Sequence, residues 1–186
     1  MHRGLEASSQ ALALAERLEA AAEELIAVVE LIDPESWARI PEPGVWSPGK
    51  DAEHVADAAV YHRWIVRMTV RDRVPERPAL ERKVLSAQQS QPAVVDLLRD
   101  RTAENARLLR GLTDEQLRLP PRPRRPRMRT LAEVIDGVMI GHYRAHRDAI
   151  ERKLGQKSVG TPPSDLRRST NARSSSRRAS SSDGGS

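Results

Sequence analysis

The chain contains no cysteine and no phenylalanine, and aromatic residues make up only 3% of its 186 residues. Without cysteine there is no structural disulfide, no thiolate metal ligand and no cysteine nucleophile. Any metal ion must then be held by nitrogen and oxygen donors. Without phenylalanine the core has to be built from Leu, Val, Ile, Ala, Met and the three Trp. Long apolar runs are lacking as well. No segment approaches the ~20 apolar residues of a membrane span, and the N-terminus has no run of signal-peptide type. These absences predict a soluble, cytoplasmic protein with no membrane partner.

Charge is present but uneven. The formal +5 divides into three parts. Residues 156–186 carry six basic and two acidic side chains, a surplus of +4. The stretch 118–129 (RLPPRPRRPRMR) carries six Arg and no acid, and the rest of the domain is left at −5. The basicity is local, so the averaged charge says little about the folded body.

Heavy use of Ala, Leu, Arg and Glu favours helices. Residues 5–32 repeat apolar side chains at helical spacing (Leu5, Leu12, Leu18, Leu25, Val28, Val29, Ile32) and end at Asp33-Pro34. Residues 34–46 form a loop with three prolines, and Trp37 and Trp46 are expected to plug its two ends. Ser47-Pro48 restarts the chain as N-cap and first helical residue, and this second helix runs to about Val70. His54, Ala58, Tyr61, Ile65 and Met68 form its inward stripe. Residues 71–90 are expected to be irregular. Pro92 opens a third helix to about Leu112, and Thr113-Asp114 begins one further turn. Residues 118–129 are broken by proline. Thr130-Leu131-Ala132-Glu133 is a capping box for a fourth helix. Its stripe is Leu131, Ile135, Val138, His142, His146 and Ile150, and Gly155 ends it. The predicted architecture is all-α, a four-helix bundle over residues 1–155. Residues 156–186, Ser/Arg-rich and without apolar anchors, are expected to be a disordered tail.

Histidine is where the chemistry concentrates. His142 and His146 are spaced i,i+4, so both imidazoles leave one face of one helix. One helix can thereby offer two nitrogens to one divalent cation. His54 supplies a third if its helix packs against the first. His62 lies about 80° around the second helix from His54 and is expected on the flank.

These residues resemble the DinB/YfiT-like superfamily. Trp46-Ser47 followed by His54 (WSPGKDAEH) looks like that family's W-S-x6-H entry into its second helix. The capped helix TLAEVIDGVMIGHYRAH looks like its H-x-x-x-H helix, and the order of loops agrees over about residues 5–155. The resemblance implies an up-down-down-up bundle with His54, His142 and His146 as ligands of zinc, nickel or a similar ion. It also implies relatives that are S-transferases and isomerases using mycothiol, bacillithiol or glutathione.

Three neutral imidazoles leave the charge of a divalent cation uncompensated and a coordination position open, as in catalytic sites. Zinc suits the ligands best, and nickel, iron or copper are also accepted by imidazole. A small-molecule substrate and a low-molecular-weight thiol cosubstrate are expected for an S-transferase, and water for a hydrolase. Asp57, one turn beyond His54, is a candidate to orient an imidazole. Tyr61, two turns beyond, is a candidate hydrogen-bond donor to substrate. A bundle that holds metal for stability alone is the main alternative. A nucleic-acid module using the arginines is a weaker one, since no helix-turn-helix or stacking platform accompanies them. A homodimer through an exposed helix face is compatible with all of these.

Overall fold

The computed structural model describes residues 8–71, 76–79 and 84–157, with backbone alone at 156 and 157. Four long helices are positioned by short ones. They are α1 (Ser9–Glu30), α2 (Pro34–Ala38), α3 (Pro48–Val70), α4 (Gln91–Arg110), α5 (Asp114–Arg118), α6 (Leu131–Val134) and α7 (Gly141–Lys157). A π-helical segment, Ile135–Ile140, joins α6 to α7 so that 131–157 runs as one continuous helix. There is no strand among the described residues.

Local chemistry sets the helix starts. Ser8 caps α1 by accepting from the Ala11 amide, Asp33 caps α2, Ser47 caps α3, and Thr113 with Gln116 forms a full capping box on α5. Thr130 caps α6 by accepting from the Glu133 amide at 3.2 Å, whereas the Glu133 carboxylate reaches past Thr130 to the Arg129 amide at 2.6 Å. At the other end Gly155 does not stop α7, which continues to Lys157. The tail expected to be disordered lies, from residue 158 on, outside the described residues, as does Leu5.

The helices form a square. α1 packs on α4 and α7, and α3 packs on the same two, so α1 and α3 sit on opposite corners. Ion pairs give the directions. Glu19 meets Arg110 and Glu30 meets Arg99, so α1 and α4 run antiparallel. Arg17 meets Asp136 and Glu24 meets Arg147, so α1 and α7 run parallel. Asp57 meets Arg101 and Arg63 meets Glu104, so α3 runs with α4. Leu18, Leu25, Ile26, Leu98, Leu109, Leu131, Ile135 and Tyr143 fill the centre and are fully buried. Each buried Leu or Ile contributes about 1.5–3 kcal/mol by leaving water. Leu12, expected in that line, is 38% exposed, and Ala11, Leu14 and Ala15 take the inward positions.

The start of α3 is built against a loop. Trp37 lies on Gly49, where an added Cβ would come within 2.5 Å of the indole, and donates its Nε1–H to the Gln89 carbonyl at 2.8 Å. Ser47 accepts from the Lys50 and Ala87 amides, and the buried Glu53 carboxylate accepts from Lys50 and from the Gln88 and Gln89 amides. Residues 84–90 are thereby fixed on the end of α3 that carries His54.

Candidate metal centre

α3 and α7 run antiparallel, and this brings His54 opposite the His142–His146 pair. One ring nitrogen from each of the three histidines lies within 4.8 Å of the other two. The ring centroids are 5.1 Å (His54–His142), 5.2 Å (His54–His146) and 4.5 Å (His142–His146) apart, all at steep interplanar angles. Three imidazoles whose nitrogens approach one another this closely can act as donors to a common centre. A tetrahedral site with metal–nitrogen bonds of about 2.0–2.1 Å puts its nitrogens about 3.3 Å apart. Side-chain rotation has to close the gap from 4.8 Å to that spacing.

The supports of these rings were only partly legible in sequence. Asp51, one turn before His54 and 3% exposed, places Oδ1 2.9 Å from His146 Nδ1. Its Oδ2 pairs with Lys153, and the Lys153 ammonium also donates to the Trp46 carbonyl at 2.9 Å. A carboxylate on Nδ1 keeps the proton there and leaves Nε2 with the lone pair. Asp57, the residue expected in that role, turns instead to Arg101 at 2.9 Å. Trp46 covers the cluster, its ring 4.8 Å from His54 and 6.3 Å from His146.

His62 is not on a solvated flank. It is 6% exposed and stands edge-on to His142 at 5.1 Å. α3 is covered on most of its circumference, so an 80° rotation from His54 still ends inside the protein. Burial, then the charge of Arg125, then His54 push its pKa from 6.5 down to about 4. The ring is therefore neutral at pH 7, and its buried Nδ1 has no hydrogen-bond partner among the described residues. Tyr61 is half-buried, stacked on Trp64 at 5.4 Å, with the Arg77 guanidinium over its ring at 5.6 Å.

The fourth helix departs from its sequence pattern at the π segment. Tyr143, not His142, faces the bundle axis. It is fully buried, 3.1 Å from the Thr102 hydroxyl, and burial raises its pKa. His142 and His146 are turned to the groove facing α3 and remain partly exposed. π segments of this kind are frequent at functional sites.

A family model described as the DinB superfamily matches residues 17–150, which include all three clustered histidines. Neither a curated protein nor a solved structure matches the chain. No helix among the described residues is long and apolar enough to cross a membrane.

Proposed function

The chain belongs to the DinB superfamily, and on that premise we propose that it is a metal-dependent enzyme. His54, His142 and His146 hold one divalent cation, zinc in the first place and nickel or iron otherwise. The observation that carries this reading is the convergence of three imidazole nitrogens from two helices within 4.8 Å, two of the rings partly open to solvent. Bound there, the cation supplies Lewis acidity that lowers the pKa of a thiol or a water.

The residues of this chain do the rest. Asp51 holds the His146 tautomer, and we assign it the orienting role in place of Asp57. Trp46 and the apolar side chains of α3 and α7 keep bulk water from the buried side of the cluster. The Tyr61 hydroxyl serves as a donor to substrate. The chain has no thiol of its own, so S-transfer requires an external low-molecular-weight thiol, and hydrolysis requires water in its place.

Elemental analysis of untagged protein tests the ligand assignment. Wild type is expected to carry about one ion per chain, and His54→Ala and His142→Ala almost none. Equal metal in all three proteins overturns it. Turnover of an electrophile by zinc-loaded protein only when a low-molecular-weight thiol is added supports the transferase, and turnover without thiol supports the hydrolase.

A further inference from the structure

The proposed metal chemistry leaves the arginine-rich connector without a role. None of the six arginines of residues 118–129 forms an ion pair among the described residues, although Arg17, Arg63, Arg99, Arg101, Arg110 and Arg147 all do. Three of these arginines, Arg124, Arg125 and Arg129, converge with Met128 and prolines on a cavity of about 640 Å³. That is the size of a small-molecule pocket. Proline fixes φ along its wall, which restricts the backbone that carries these three side chains. Arg125 is the inner one. Its Nε is buried and has no hydrogen-bond partner among the described residues.

The cavity is linked to the histidine cluster through intervening side chains. Met128 in its wall packs with Tyr61 and Val138 against Trp64, Ile65 and Val134. Tyr61 neighbours His62, and His62 touches His142. Arg125 is close enough for its charge to be felt at His62.

We propose that this cavity binds an oxyanion, a carboxylate or phosphate group of a small molecule, with Arg125 as its central ligand and Arg124 and Arg129 beside it. A guanidinium presents paired N–H donors that match such a group bidentately. The connector has no aromatic side chain on which bases could stack, and its arginines line a concavity rather than a ridge, so a small anion fits better than a nucleic acid. That the anion belongs to the enzyme's substrate, held by one end here and reacting at the histidines, rests on the metal-enzyme reading. The binding of the anion does not.

Calorimetric titration of chelator-treated, full-length protein with inorganic phosphate and with glutarate is the test. Phosphate and glutarate represent the two sources of the oxyanion, and saturable binding of either is expected. Arg125→Gln should weaken it about tenfold or more. Arg125→Lys, which keeps the charge but loses Nε, should fall in between. Arg127→Gln, an exposed arginine of the same connector outside the cavity, should stay within about twofold, a rim charge being screened. If Arg125→Gln does not fold, the Arg124→Gln/Arg129→Gln double variant carries the test, with a loss of about tenfold expected. No saturable binding of either anion overturns the proposal. So does a loss in Arg127→Gln equal to that in Arg125→Gln. Tighter binding of a single-stranded oligonucleotide, weakened equally by every connector arginine, overturns it in favour of a nucleic-acid surface. Zinc content measured on the same variants separates the two readings. Anion binding in metal-free protein reports the arginines alone, and metal content reports the histidines alone.

Discussion

Replacing Asp51 by Asn is the most searching perturbation of the centre because it changes one atom pair and two protonation demands. The Asp51 carboxylate accepts from His146 on one oxygen and from Lys153 on the other. An amide cannot do both. With its oxygen toward His146, its NH2 group faces the Lys153 ammonium, donor against donor. Flipped, it donates to His146 Nδ1, moves the ring proton to Nε2 and removes the lone pair needed by a metal. Loss of such an orienting partner weakens metal binding about 10–100-fold. The metal-free protein should lose only about 1–2 kcal/mol. A charged hydrogen bond contributes about 1.5–3 kcal/mol, and Lys153 keeps its bond to the Trp46 carbonyl. Zinc affinity is read by competition with a chromophoric chelator, and stability by urea unfolding of chelated protein. Asp57→Asn is the matched control. Its carboxylate is a third exposed and faces Arg101, so zinc affinity should not move and stability should change by under about 1 kcal/mol. Zinc affinity of Asp51→Asn within about twofold of wild type would refute the orienting role.

Three further outcomes follow from the packing. Gly49→Ala puts a methyl 2.5 Å from the Trp37 ring and 2.6 Å from its carbonyl oxygen. Overpacking costs about 1–3 kcal/mol, partly offset by the helix preference of Ala, so urea unfolding should show a net loss of about 1–2 kcal/mol, and unchanged stability would contradict the contact. His62 has a folded-state pKa of about 4, below its ordinary 6.5, so its contribution is complete above pH 6.5 and is lost as pH falls toward 4. In metal-free protein the loss amounts to ~3 kcal/mol. His62→Leu should unfold with a shallower acid limb over that interval, and parallel limbs would exclude His62 as its source. Deleting Gly137 removes the extra residue of the π segment, so a regular 3.6-residue repeat from Leu131 still carries Tyr143 inward and leaves the His142–His146 face toward α3. Circular dichroism should stay helical while zinc content is retained, and lost zinc would show that the π segment does more than shift the register by one residue.

Much of the fold was readable because the signals are local. Ser47-Pro48, Thr113 with Gln116, and Thr130 all start helices where their side chains can cap a backbone amide, and no distant contact is needed for that. The meeting of His54 with His142 and His146 was readable for a similar reason. An i,i+4 pair and a histidine on another inward stripe need only two helices packed side by side. Residues whose role depends on a partner across the bundle were harder. Asp51 sits three positions before His54, on the same side of α3, and that spacing was the available signal. The chain offered Asp57 at an equal distance on the other side, and only the position of Lys153, a full three turns into α7, separates them.

The fourth helix shows why periodicity fails where function enters. A strict 3.6-residue repeat from Leu131 carries Val138, His142 and His146 into the core. The six-residue π turn advances the core line by one position, so Met139, Ile140 and Tyr143 go in and Val138, His142 and His146 stay at its edge. Histidines fully inside would have been satisfied core rings with no route to a substrate. At the edge they face His54 across a groove that solvent reaches. Gly137 and Gly141 are weak helix formers, but nothing in the spacing of apolar residues marks a wider turn. The cost of a poorer hydrogen-bond geometry in that turn is borne where it moves two imidazoles from the packed core to the groove facing His54, so the departure from the regular helix and the candidate site have one cause.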